Sequence, residues 1–321
     1  MLTRFKGIIF AVILGLVCPT FIIGFLQKEI PEGKSPSPET TQAPRDSEKE
    51  PPKISVLMND DSIRRIDIND YLTCVVLREM PASFELEALK AQAVVARTYA
   101  LRRQASGGKH TGAAVCTSSD CCQGYYDLND YLADGGTNDN IDKIRNAVEL
   151  TDNLVLVYNG ELIDATYYSC SGGMTEDAKA VWGVDVPYLL STVSPGEENA
   201  AHYVDTVTID SADFMKKLEV DTKKAPRIGK ITYTSGGGVN TINICGKEYK
   251  GTELRKKLGL RSTAFAISIV GNTVTITTKG FGHRVGMSQY GADAMAVKGS
   301  GFPDILAHYY RGTQLVTYNS N

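Results

Sequence analysis

Six of the chain's twelve prolines fall within residues 27–52: Pro31, Pro36, Pro38, Pro44, Pro51 and Pro52. Charges of both signs fill much of the remainder, and apolar residues are few. Such a segment cannot bury enough apolar surface to offset its ordering entropy, so it reads as a disordered, semi-extended linker. A packed core can therefore begin only near Lys53. On the other side of the linker, Gly7–Leu26 is an uncharged apolar run of twenty residues. At about 1.5 Å per residue it matches the roughly 30 Å hydrocarbon core of a bilayer. Arg4 and Lys6 precede it. These features predict a cytoplasmic N-terminus (1–6), one transmembrane anchor (7–26) and a body outside the cell membrane. A cleaved signal peptide fits less well, because the run exceeds a usual signal core and no small-x-small site follows it.

Within the body, Lys53–Met58 and Ile63–Ile68 predict short strands. Asn69–Glu79 predicts a helix capped by Asn69, with Tyr71, Leu72, Val75 and Val76 as its apolar stripe. Met80-Pro81 ends it, since the residue before proline avoids the helical region. Ser83 predicts the cap of a second helix running to about Gln104. Leu86, Leu89, Ala93, Ala96 and Ala100 give that helix a narrow, small-residue face suited to close packing. Asn159-Gly160 and Gly271-Asn272 each join two apolar runs and predict hairpins. Further helices are expected at Thr252–Leu258, about Ser288–Val297 and about Pro303–Tyr310. Strands and helices mix without regular alternation, which indicates an α+β fold. The expected layout is a core of residues 53–202 and 279–321 with a smaller strand-rich subdomain, 203–278, inserted in it. Lys+Arg total 34 against 37 Asp+Glu, a net charge of −3. That excludes a nucleic-acid binder driven by a net basic field.

Three clusters could carry chemistry. Glu79 ends its helix, where the dipole disfavours a carboxylate by about 0.3–1 kcal/mol. Partial burial would raise its pKa further and keep it a proton donor, as a glycosidic leaving group requires. An exposed, paired Glu is the alternative. His110, Cys116, Cys121 and Cys122 place four N/S ligands in thirteen residues. Such a set suits one structural zinc ion with no open position; disulfides or free thiols are the alternative. Two glycine-rich loops, Tyr167–Thr175 and Gly280–Ala292, carry Ser, Tyr, Gln and His suited to sugar hydroxyls. Two tight turns are the alternative there, and Cys170 with His283 could instead form a nucleophile–base couple.

Taken together, these segments resemble the stage II sporulation protein D family. Glu79-Met80-Pro81, followed by Glu87-Ala88-Leu89-Lys90-Ala91-Gln92-Ala93-Val94-Val95-Ala96-Arg97-Thr98-Tyr99, is similar to its signature helix. Tyr168-Ser169-Cys170-Ser171-Gly172-Gly173, Val181-Trp182-Gly183 and Gly286-Met287-Ser288-Gln289-Tyr290-Gly291-Ala292 are similar to its later blocks, in order. One departure is Arg284, where the motif carries glycine; a positive φ there would be strained.

The resemblance implies a membrane-anchored lytic transglycosylase. It would cut denuded peptidoglycan strands between N-acetylmuramic acid and N-acetylglucosamine, leaving 1,6-anhydro ends, during forespore engulfment. The family's essential acid maps onto Glu79, and its zinc loop onto the segment holding His110, Cys116, Cys121 and Cys122. A peptidoglycan amidase and a polytopic membrane scaffold are the implied partners. The implied location is the mother-cell membrane at the sporulation septum. Lys90, Tyr168, Ser169, Ser288 and Gln289 are candidates for holding the sugars. Two rival readings are a non-catalytic wall-binding module that recruits the amidase, and a Cys170–His283 amidase.

Overall fold

In the computed structural model, which describes residues 52–201, 203–220 and 225–319, the twenty residues Leu86–Ala105 form the central helix of the larger core. Small alanines keep it slender, and every side chain from Ala91 to Leu101 is buried. The expected narrow face is thus a helix enclosed on nearly all sides, the habit of a helix at the centre of a core. In chain order the helices are α1 (Ile68–Glu79), α2 (Leu86–Ala105), α3 (Leu128–Ala133), α4 (Asn138–Glu149), α5 (Ala178–Trp182), α6 (Ser211–Lys217), α7 (Gly251–Leu258), α8 (Gln289–Val297) and α9 (Phe302–Tyr309). Helix α2 packs against α1, α4, α8, α9 and the strand Leu154–Tyr158. Its one buried cation, Arg97, donates to the carbonyls of Val148 and Thr151 at the C-terminal end of α4. A guanidinium there satisfies open carbonyls and opposes the negative end of the helix dipole.

Two caps differ from expectation. Asp67, not Asn69, caps α1 by accepting the Asn69 N–H at 2.8 Å. Helix α2 starts after Glu85 rather than at Ser83, and the Glu85 N–H is held at 2.7 Å by Asp293 of α8. The helix has no side-chain cap; a tertiary carboxylate instead anchors the residue that precedes its first turn. Met80 leaves the helix in extended conformation ahead of Pro81, which leaves Glu79 on the last turn of α1.

The core strands are short. Lys53–Leu57 pairs antiparallel with Ile63–Asp67 and parallel with Val115–Cys116. Leu154–Tyr158 lies between Glu161–Leu162 and Gln314–Thr317. Asn159 and Gly160 both adopt positive φ, +52° and +81°, as a type I′ hairpin turn requires. Tyr167–Tyr168 pairs in parallel with Met287–Ser288, which joins the two glycine-rich loops side by side.

Residues 204–279 hold a second apolar cluster, with Phe214, Ile242, Leu254, Val274 and Ile276 fully buried. Two three-stranded antiparallel sheets cover it: Ile228–Tyr233, Val239–Ile244 and Lys247–Lys250 form one. Val204–Asp210, Thr273–Lys279 and Phe265–Val270 form the other, and its first rung pairs Val204 with Lys279. Residues 50–321 nonetheless cluster as a single compact unit. Arg284 fastens this segment to the core. Its buried guanidinium is 3.2 Å from Glu176 Oε1 and donates at 2.7 Å to the carbonyls of Ser171, Met174 and Gly236. Glu176 in turn accepts from the Gly238 N–H and the Thr234 hydroxyl. The guanidinium and its carboxylate thereby bind the Ile228–Tyr233 hairpin turn to the first glycine-rich loop. Arg284 does sit at positive φ, +67°.

One expectation is corrected. Among the described residues no helix is long and apolar enough to cross a membrane, so the transmembrane element of the expected fold and the single-pass membrane location are not supported. The longest described helix, α2, has a bilayer-spanning length but carries Glu87, Lys90, Arg97, Arg102 and Arg103. Those charges are incompatible with a hydrocarbon core. The apolar run 7–26 and most of the linker lie outside the described residues.

Candidate functional site

The C-terminal turn of α1, the segment Ser119–Cys122 and the two glycine-rich loops converge on a groove of about 700 Å3. Glu79, Tyr167, Tyr168, Ser169, His283 and Gln289 line it, with Arg255 contributed by α7. Glu79 is half-buried, and its Oε1 accepts the Gly124 N–H at 2.6 Å. Gly124 can come this close only without a side chain: a Cβ there would stand 2.9 Å from Glu79 Oε1 and 2.6 Å from Arg78 Cγ. Burial raises the Glu79 pKa above the usual carboxyl value. The Gly124 N–H and the side chains of Gln289 and Tyr167 pull it down, without overcoming burial. The result is a carboxyl that holds its proton more tightly than a solvated one and is open to a groove.

A hydrogen-bonded chain lies behind it. The Tyr71 hydroxyl donates to Gln123 Oε1 at 3.2 Å, and Gln123 Nε2 donates to the Tyr167 hydroxyl at 3.1 Å. Tyr167 faces Glu79. The Gln289 side chain also lies beside Glu79 in the groove, whereas the Tyr168 hydroxyl is on the buried side, near Tyr309 and Glu197.

The candidate sugar-binding residues divide. Tyr168, Ser169 and Gln289 line the groove with Glu79; Lys90 and Ser288 do not. Lys90 is held at 2.7 Å by Glu87 and lies over the Phe302 ring. Ser288 caps α8 through the Gly291 N–H and donates to buried Glu197 at 2.5 Å. Glu197 also accepts from Ser194, from the Ser171 hydroxyl and from the N–H groups of Ser171, Gly172 and Gly173. One carboxylate thus sets the shape of the first loop and ties it to α8.

Cys170 and His283 are not arranged as a couple. The Cys170 thiol is buried and donates to Glu197 at 3.4 Å; burial and that carboxylate raise its pKa to about 12. His283 Nδ1 accepts the Val285 N–H at 3.1 Å. Burial, helped by the nearby Arg255 charge, lowers the His283 pKa to about 4. Its ring packs between Tyr168 and Trp182, 5.4 and 5.3 Å away. A thiol held protonated beside a neutral, packed imidazole is a poor nucleophile.

His110, Cys116, Cys121 and Cys122 meet in one cluster, their ligand atoms all within 4.8 Å of one another, and together they could hold a metal ion. His110 Nε2 is 3.4 Å from Cys122 Sγ and 3.7 Å from Cys121 Sγ. The two adjacent sulfurs are 4.0 Å apart. The six described cysteines are all free. This cluster precedes Gln123 and Gly124 directly, so the loop it shapes is the loop that touches Glu79.

Gln123, Gly124, Glu176, Glu197 and Arg255 carry no individual signal in the sequence, and Tyr167 carries only that of its glycine-rich loop. A polar residue and a glycine immediately after a cysteine pair could have drawn attention to Gln123 and Gly124. Glu176 and Glu197 depend on partners far along the chain, and Tyr167 and Arg255 on which elements meet at the groove.

Comparison with known proteins gives consistent relatives. Residues 59–158 match the family described as Stage II sporulation protein. Stage II sporulation protein D of Bacillus subtilis (strain 168) is 40% identical over 259 residues, covering 79% of this chain and 76% of that protein. Stage II sporulation protein D of Bacillus amyloliquefaciens is also 40% identical over 259 residues, covering 79% and 75%. The Amidase enhancer of Bacillus subtilis (strain 168) is 33% identical over 301 residues, covering 76% of this chain and 40% of that protein.

Proposed function

The chain belongs to the stage II sporulation protein D family, and on that premise we propose that it is a lytic transglycosylase cutting peptidoglycan strands during forespore engulfment. Its family gives it a role in sporulation, at the cell wall. The observation that carries the reaction is Glu79: a half-buried carboxyl with a raised pKa, opening on a groove lined by Ser169, His283, Gln289 and Arg255. In the proposed cycle Glu79 donates its proton to the glycosidic oxygen between N-acetylmuramic acid and N-acetylglucosamine. The muramic acid 6-hydroxyl attacks the anomeric carbon as that bond breaks. The Glu79 carboxylate then takes the 6-hydroxyl proton, and a 1,6-anhydro end results. Gly124 and Tyr167 stabilise the carboxylate stage, whereas burial stabilises the acid stage.

A hydrolase would need a second carboxylate across the bond to activate water. Asp120 lines the same groove but is exposed on its loop, and the reading here gives it no part in the chemistry. Mass spectrometry of the products from purified glycan strands decides the matter. Anhydro ends are expected; reducing ends would turn the reading to hydrolysis, and binding without new ends would turn it to a wall-binding module. An amidase is the proposed working partner, supported by the likeness to the Amidase enhancer. A polytopic scaffold of the engulfment machinery is the second partner, on the family's implication alone.

We assign the His/Cys cluster to one structural zinc ion. Tetrahedral zinc with bonds of about 2.0–2.3 Å separates its ligand atoms by roughly 3.5–3.8 Å, close to the spacings of 3.4, 3.7 and 4.0 Å. Four protein ligands leave no open position, so the ion would add folding free energy and fix the loop that carries Gln123 and Gly124. Zinc loading is expected to give one ion per chain by elemental analysis. Chelation is expected to lower the melting temperature by about 5–10 °C, the equivalent of a few kcal/mol. A chain that binds no zinc under loading would refute the assignment.

A further inference from the structure

Among the residues lining the groove, Arg255 alone comes from the strand-rich segment 204–279. It is half-buried on α7, where its guanidinium meets no carboxylate, hydroxyl or carbonyl among the described residues. Other buried or half-buried guanidiniums in this protein each meet at least one acceptor, Arg97 a carbonyl, Arg103 Asp164 and Arg284 Glu176, although the Nε atoms of Arg97 and Arg103 are left open. Desolvating a guanidinium without a partner is costly, and Arg does not relieve the cost by losing its proton. The neighbouring imidazole of His283 is neutral at ordinary pH, so it neither repels nor satisfies an anion on its own account. Arg255 is also held in place. The Arg284–Glu176 pair fastens its segment to the core, and Leu254 beside it is fully buried.

We propose that Arg255 is the specificity-determining residue that reads a free carboxylate on the bound glycan, the 3-O-lactyl carboxylate of muramic acid. This rests on the reading of the groove as a glycan site. When a peptide is attached, that carboxyl is an amide: the charge is gone, and so is one oxygen of a bidentate pair. When the carboxyl is free, both oxygens can face the planar fork of the guanidinium. The unpartnered cation then finds its counter-ion only in the complex, and strands bearing the free acid are preferred.

Trp182 supplies the probe. It is the chain's single tryptophan, 44% exposed, with its ring 5.3 Å from that of His283. The full chain carrying Glu79→Gln, which blocks turnover, is titrated with a muramic-acid-containing tetrasaccharide and followed by tryptophan fluorescence. The same tetrasaccharide with its lactyl carboxyls converted to primary amides is the comparison. The free acid is expected to bind about ten- to a hundredfold tighter, the range of a charge-assisted hydrogen-bonded pair. Adding Arg255→Gln should abolish that difference by weakening the free acid far more than the amide; Arg255→Lys should restore part of it. Equal binding of acid and amide to the chain with Arg255 intact would overturn the inference while leaving the groove a glycan site. So would discrimination that survives in a folded Arg255→Gln chain. If neither tetrasaccharide binds, the reading of the groove itself fails, and the inference with it.

Discussion

Glu79→Gln is expected to reduce the release of anhydro products by about 10²–10⁴-fold, the usual contribution of a positioned general acid–base. The fold should survive the change. Glutamine keeps the shape, and its amide oxygen can still accept the Gly124 N–H now 2.6 Å from Glu79. Stability should change with a sign opposite to that of an ordinary salt-bridged carboxylate. The Glu79 pKa is raised on folding, so the native state holds the proton more tightly than the unfolded chain. That contribution is fully present below the unfolded carboxyl pKa and is lost as pH rises through the folded one. The Gln variant should therefore melt at a higher temperature than the parent near pH 7.5, and the gap should close near pH 4. The parent's activity should fall as pH climbs past the raised pKa, because the donor loses its proton. A Gln variant that releases anhydro ends at the parental rate would end the proposal for Glu79.

Arg284→Gly is expected to be the most destabilising single change near the site, even though it restores the residue a positive φ favours. Two effects compete. Relief of φ +67° is worth about 1–2 kcal/mol. Loss of the guanidinium leaves Glu176 fully buried without its cation and orphans three carbonyls, a change that costs about 3–5 kcal/mol. The net expectation is a loss of about 1–4 kcal/mol, with about 2–4 °C in melting temperature for each kcal/mol. Combining it with Glu176→Gln should recover part of the loss, because the uncompensated charge is then gone, and a double-mutant cycle reads that coupling directly. If Arg284→Gly alone raised the melting temperature, backbone strain would outweigh the ion pair and the fastening role would be wrong.

The chain's local signals were read well where the physics is local. Asn159-Gly160 and Gly271-Asn272 specify their hairpins because positive φ and two-residue loops are set by those residues themselves. Pro81 ends α1 by steric exclusion and so fixes Glu79 on the last turn. The apolar spacing of α4, with Ile141, Ile144, Ala147 and Val148 buried behind a Thr137 cap, is an equally local signal, one absent from the expected elements. Positions set by distant partners were less legible. Ser83 has the chemistry of a cap, yet the helix starts after Glu85 without a side-chain cap, its start anchored by Asp293, 208 residues beyond Glu85. Lys90 and Ser288 have sugar-binding chemistry, but an i,i+3 carboxylate and a helix cap respectively claim them. Nothing in the spacing of Glu176 or Glu197 marks it as buried, because the partners that make burial tolerable arrive from 108 and 91 residues away.

The rung between Val204 and Lys279 brings the entry and exit of the strand-rich segment together. A short turn could splice those two positions, and the excised cassette would carry Arg255 away while Glu79, Tyr167 and Gln289 stayed on the parent scaffold. Such an arrangement would let evolution exchange the groove's cationic wall without rebuilding the surroundings of Glu79. Relatives adapted to differently decorated walls should accordingly diverge most between these two residues.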